Sequence, residues 1–267
     1  MPANLPRFHA EWIPPAPAVR DVVDTYWAVA WDLAPGESVA QRIVDFPAVT
    51  LSIEAGDVPA PFVVTKVRPG VWSRVIAGRG SVFAIRLRPA GLAVLSDLDV
   101  LTLPFEQALT RENDRRAHDA MTSISDAGTA IDRAARADEV VLRLLHQRPL
   151  TPSQRRANAA LDVLASRPRI RSGSSIAEEL GTSERTLQRS LRGTVGLGPN
   201  DVARRIRVQE VVRRLSLPGA DVSLTAAELG YVDQAHLINE FRTVTGTTPG
   251  RYIRESERAQ SELRGTR

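Results

Sequence analysis

The chain has no cysteine in its 267 residues, which excludes disulfides, thiolate metal sites and a cysteine nucleophile and fits a reducing compartment. Histidine is scarce: His9, His118, His146 and His236 are scattered, with no H-x-H or H-x-x-x-H pair to bring two imidazoles onto one face. No run approaches about 20 continuous apolar residues, so no membrane span is expected. The start, Met1 to Pro17, is proline-rich and lacks a basic-then-apolar leader pattern. A P-loop, a nucleophile elbow and a Gly-rich dinucleotide fingerprint are all missing, and Glu54 and Asp57 fall in a predicted turn. These absences predict a cytoplasmic protein with no catalytic residues, no metal and no cofactor.

Lysine is nearly absent too: Lys66 is the only one, and arginine carries the remaining positive charge. That charge is uneven. From Thr151 onward 19 Arg stand against 13 Asp plus Glu, a net of +6, whereas residues 1–150 carry 16 cations and 18 acids, a net of −2. A basic half beside a slightly acidic one predicts that only the C-terminal half meets a polyanion.

What is present is one short pattern, twice. Ser175 to Pro199 reads S-I-A-E-E-L-G-T-S-E-R-T-L-Q-R-S-L-R-G-T-V-G-L-G-P, and Leu224 to Pro249 reads L-T-A-A-E-L-G-Y-V-D-Q-A-H-L-I-N-E-F-R-T-V-T-G-T-T-P. Each copy predicts a short helix opening near Ser174 or Ser223, a stop at Gly181 or Gly230, and then a longer helix. Ser183 is placed to cap the longer helix in the first copy, and Asp233 supplies the matching charge in the second. Gly-x-x-Pro follows in both, with Pro199 and Pro249 suited to a first helical turn. This is a tandem helix-turn-helix signature, over about residues 174–193 and 223–245, and it predicts DNA binding.

Other helices are predicted over Ser153 to Ser166 and Asn200 to Leu215. Val208, Val211, Val212 and Leu215 would be the buried stripe of the latter, with Arg204, Arg205, Arg207, Arg213 and Arg214 around it. A connecting helix of that length spans ~24 Å, which could set two reading helices roughly one DNA turn, ~34 Å, apart. In the second motif Ala226, Ala227 and Leu229 are expected to pack inward with Leu237, Phe241 and Val244. A short last helix, Pro249 to Arg254, would precede a frayed tail.

In residues 1–150, short β-like runs (Thr25–Trp31, Val49–Ile53, Phe62–Val67, Trp72–Ile76 and Val82–Leu87) predict a small barrel or sandwich. Helices are predicted over Phe105–Met121 and Ala127–His146, the latter with Ile131, Val140, Val141, Leu144 and Leu145 on its apolar side. Trp27, Trp31, Arg42, Trp72 and Phe83 could line an effector pocket; a filled, purely dimerising scaffold is the alternative, and a barrel enzyme fused to DNA-binding helices a third. The fold class is thus α+β in two domains: residues 1–150, a small β-barrel or cupin-like domain with helices, and residues 151–267, all-α.

The C-terminal half resembles the AraC/XylS family of bacterial transcription regulators over Ser153 to Arg254, in A-x-E-L-G-T-S-x-R-T-L-Q-R-x-L-R and in A-x-x-L-G-Y-x-D-Q-A-H-L-x-x-x-F-R-x-x-x-G-x-x-P-x-x-Y. In the N-terminal half Y-W-A-V-A-W, F-A-I-R-L-R-P-A-G and L-T-L-P-F-E-Q-A-L look like an uncharacterised sensor domain of some members. The resemblance implies that both longer helices enter the major groove of promoter DNA. Arg185, Gln188 and Arg189, then Gln234 and Asn239, would face bases, and Thr186, Arg192, Arg204, Arg207, Arg242 and Thr243 the phosphates. RNA polymerase, a small effector and a second copy of the chain are the other partners it implies. Two departures stand out: Asn239 where members commonly carry Arg, and Val232 where they carry Ser.

Overall fold

The computed structural model describes residues 8–44, 46–56, 58, 60–68, 70–167, 169, 172–217 and 221–264. Eight strands form in the N-terminal half: β1 Phe8–Ile13, β2 Val23–Asp32, β3 Ser38–Ile43, β4 Thr50–Gly56, β5 Phe62–Thr65, β6 Trp72–Ala77, β7 Arg79–Leu87 and β8 Glu106–Ala108. Six make one antiparallel sheet in the order β1-β2-β7-β4-β5-β8, and β3 pairs with β6 as a separate antiparallel ribbon. The predicted barrel is therefore not closed: the ribbon lies over one face of an open sheet. Helices α1 (Gly91–Leu95), α2 (Arg115–Ser125) and α3 (Ala130–Gln147) complete this half.

Alternation along the strands gives the sheet two different faces. Tyr26, Leu51, Ile53, Phe83 and Ile85 point to a core closed by Met121, Ile124, Val140 and Val141 of α2 and α3. Trp31, Val82 and Ala84 point the other way, against Val39 and Ile76 of the ribbon, with Trp27 partly buried beside them. The Trp31 indole lies over its cross-strand partner Gly80, where a Cβ would come within 2.4 Å of the ring, and donates Nε1–H to the Ala77 carbonyl at 3.1 Å. Between the layers Arg74 pairs with Glu54 at 2.8 Å.

Two sequence expectations fail here for local reasons. Residues 105–114 are not helical: Glu106–Ala108 pair with β5, and Asp114 caps α2 by accepting from the Ala117 N–H. Ile131, expected on the apolar side of α3, is 65% exposed, because it sits in the first turn, ahead of the buried stripe Ala134, Ala137, Val140 and Val141.

Seven helices follow: α4 Pro152–Ser166, α5 Gly173–Glu179, α6 Glu184–Val195, α7 Pro199–Leu215, α8 Val222–Glu228, α9 Gln234–Thr245 and α10 Pro249–Arg264. Helix α10 runs ten residues past the predicted end at Arg254. No helix among the described residues is long and apolar enough to cross a membrane. The helices build two cores. Ala157, Leu161, Leu164, Ile176, Leu187 and Leu191 form the first with Val202, Ala203 and Ile206 of α7. Leu229, Leu237, Phe241 and Tyr252 form the second with Val208, Val211 and Leu215 of the same helix.

The halves dock through specific polar groups. Asn158 of α4 is 5% exposed; its side chain accepts from the Ala90 N–H at 3.1 Å and donates to the Asp21 carbonyl at 2.7 Å. Arg88 grips Asp162 through two hydrogen bonds of 2.7 and 2.8 Å. After β3 the chain reaches the reading domain: Val44 is buried in the second core, Phe46 packs on the first, and the Gln209 side chain of α7 donates to the Val44 carbonyl at 2.7 Å.

Candidate nucleic-acid interface

Both motifs are set by the same local chemistry. Ser172 caps α5 and Ser183 caps α6, while Asp221 caps α8 and Asp233 caps α9, each side chain accepting a backbone N–H of the first turn. The short helices thus open one to two residues before the sequence expectation. Gly181 and Gly230 take φ of +58° and +73°, and Gly196 and Gly246 end the longer helices at +77° and +72°, backbone that only glycine adopts without strain. Helix α6 then buries Leu187, Ser190, Leu191 and Thr194, and α9 buries Leu237, Phe241, Val244 and Thr245. Ser190 Oγ bonds Ser153 Oγ at 3.0 Å and accepts from Arg156 at 3.2 Å, holding α6 on α4.

The opposite faces are open. Arg185, Gln188, Arg189 and Arg192 are exposed on α6, and Asn239 and Arg242 on α9; Thr186, partly buried, shares a hydrogen bond with Ser183 at the start of α6. Gln234 is exposed but accepts from the Ser223 hydroxyl of α8 at 2.9 Å. Ala227, expected inside, is exposed on α8, while Leu229 is fully buried. His236 is partly buried, edge-on to Tyr231.

One residue expected on a phosphate is buried instead. Arg207 is 5% exposed, and Arg205 beside it 6%. The Arg207 guanidinium makes two hydrogen bonds to Glu240 of α9, at 2.7 and 2.6 Å, lies 5.1 Å over the Tyr231 ring, and Tyr231 donates to Glu240 at 2.7 Å. Burial alone would lower the Arg207 pKa, but the hydrogen bonds and charge of Glu240 outweigh it and raise it above the ordinary arginine value. Burial, then the Glu240 charge, pushes the Tyr231 hydroxyl well up. Thr243 is exposed and Arg204 partly so, and both border a cleft between the halves.

That cleft, of about 310 Å³, is bounded by Lys66, Val100, Leu101 and Phe105 on one side and by Val195, Leu197, Arg204 and Thr243 on the other. The residues expected around an effector are spread over the N-terminal half. Phe83 lies on the opposite face of the sheet from Trp27 and Trp31, Trp72 is on the ribbon, and the Arg42 side chain lies outside the described residues. Sequence reasoning missed the cleft because its walls are about 100 residues apart in the chain.

A helix-turn-helix domain family matches residues 176–255, spanning both motifs as the structure displays them. Residues 176–255 are thus a helix-turn-helix domain of the AraC type. A second family, a domain of unknown function, matches residues 11–104, most of the sheet and its ribbon. No curated protein matches the chain. Among solved structures it is similar to an AraC-type transcriptional regulator from Chromobacterium violaceum (19% identity, 39% of this chain and 93% of that one, TM-score 0.36). It is also similar to ToxT from Vibrio cholerae O395 (11% identity, 93% and 98% covered, TM-score 0.42) and to the unsaturated fatty acid-bound form of ToxT (11%, 95% and 97%, TM-score 0.39).

Glu240 would lose its bidentate partner in Arg207→Ala and keep only Arg204 at 3.9 Å and the Tyr231 hydroxyl, which is expected to destabilise the protein by about 3 kcal/mol in chemical denaturation. A loss below about 1 kcal/mol, the range of exposed ion pairs, would show that this pair does not hold α9 on α7.

Proposed function

We propose that the chain is a transcription regulator that recognises promoter DNA by seating α6 and α9 in two successive major-groove segments on one face of the duplex. The observation that carries this reading is that α7, 17 residues and ~26 Å long, contributes side chains to both motif cores and so fixes their separation. Arg185, Gln188 and Arg189 are the base readers proposed on α6: Arg can grip guanine O6 and N7, and Gln adenine N6 and N7. Asn239 is the corresponding reader on α9. Thr186, Arg192 and Arg242 flank them toward the phosphates, where they set register and salt dependence rather than sequence. Selection from a random DNA pool by the full chain, read at two salt concentrations, is expected to enrich a site of two blocks about one turn apart. Arg189→Ala should weaken that site by ~1–3 kcal/mol and relax one base position. Salt-sensitive binding with no enriched site would contradict sequence-specific reading.

The cleft supports effector control. It touches the C-terminal ends of both reading helices, at Val195 and Thr243, so a ligand bridging the halves would favour one arrangement of the heads over another. Lys66 and Arg204 in its lining suit a small organic acid. In a thermal-shift screen of organic acids on the full chain, a ligand at about a hundred times its Kd stabilises by ~2.7 kcal/mol. Phe105→Ala should remove that shift; a shift that survives the substitution would place the ligand elsewhere.

A further inference from the structure

The two reading helices occupy the same place in two copies of one motif, so every position of α6 has a counterpart in α9. Both are 12 residues long, running from the caps Ser183 and Asp233 to the left-handed Gly196 and Gly246. Leu187 and Leu191 correspond to Leu237 and Phe241, all buried. On the outer face Arg185, Gln188 and Arg189 correspond to Ala235, Ile238 and Asn239, whereas Arg192 corresponds to another arginine, Arg242. The phosphate-facing position is thus kept, and the base-facing positions change chemistry. Where α6 offers two guanidiniums and a carboxamide, α9 offers a methyl, a branched alkyl chain and a carboxamide. Ala235 and Asn239 are exposed, and Ile238 is half-buried against the second core. Val232, 82% exposed, extends the apolar surface at the entry to α9. Gln234 corresponds to Glu184, one residue before the reading positions, and is tied to α8 by its bond from Ser223.

We propose that the two heads read opposite chemistry: α6 a guanine-containing block, α9 an A·T block in which Asn239 grips adenine while Ala235 and Ile238 lie against thymine 5-methyl groups. This rests on the tandem reading proposed above. Thymine methyl is the one apolar group on the major-groove edge of the base pairs. An alkyl side chain placed over guanine O6 and N7, or over the cytosine amine, would take those polar atoms from water with nothing to pair them. With no arginine at its base-facing positions, α9 also lacks the bidentate guanidinium grip that favours guanine.

The test starts from the site selected by the full chain. One block is expected to contain guanine and the other to be A·T-rich. Duplexes in which uracil replaces thymine lose only the 5-methyl group, so no variant protein is needed. Replacement within the A·T block should weaken binding about fourfold per contacted methyl, the equivalent of one buried methyl group, and replacement in the other block should leave affinity unchanged. Asn239→Arg, at an exposed position, should move the preferred base at one position of the A·T block from adenine to guanine. Affinity indifferent to uracil, or guanine selected in both blocks, overturns the inference and leaves the tandem reading standing. Recovery of a single block, or of none, overturns the tandem reading itself.

Discussion

Everything in the reading half depends on α7 being buried nearly all round. Its first half gives Val202, Ala203 and Ile206 to one core and its second half gives Val208, Val211 and Leu215 to the other. A helix that belongs to both cores cannot tilt toward one without opening a void in the other, and close-packed interiors do not yield continuously. The two helix-turn-helix motifs are therefore packed on one shared helix rather than joined by a loop alone.

The polar contacts sharpen that constraint. The Arg207–Glu240 pair, closed by Tyr231, holds α9 against α7 through a charge buried beside the second core. A buried pair adds little net stability over a well-packed apolar pair, but it tolerates few alternative geometries and so specifies the crossing of the two helices. The N-terminal half then grips the same spine. Val44 lies in the second core, Phe46 on the first, and Gln209 ties α7 to the Val44 carbonyl. A change in how the halves sit would be felt by both heads at once, and the cleft lies at that seam.

The tandem motif was legible in the sequence because caps and left-handed glycines are local: Ser183, Asp233, Gly181 and Gly230 declare helix ends without any tertiary partner. The strands with strong alternation, β2, β4 and β7, were legible for the same reason. What escaped depends on neighbours far along the chain. Arg205 and Arg207 look like a solvated face until the acidic side chain of Glu240, 33 residues on from Arg207, comes to meet it. That Trp31 and Phe83 take opposite faces of one sheet is a consequence of register that composition does not reveal. Strands β1, β3 and β8 were missed because short edge strands in proline-rich or polar surroundings carry little periodicity. Docking residues such as Asn158 and Val44 carried no signal at all.

The claim that one helix fixes both heads is tested most directly by spacing. Starting from the selected two-block site, about five base pairs inserted between the blocks rotate the second to the opposite face of the duplex. The rigid spine predicts that the full chain then binds no better than it binds a site with one block alone. Affinity unchanged by the insertion would mean that the heads move independently, and the role given to α7 would be wrong.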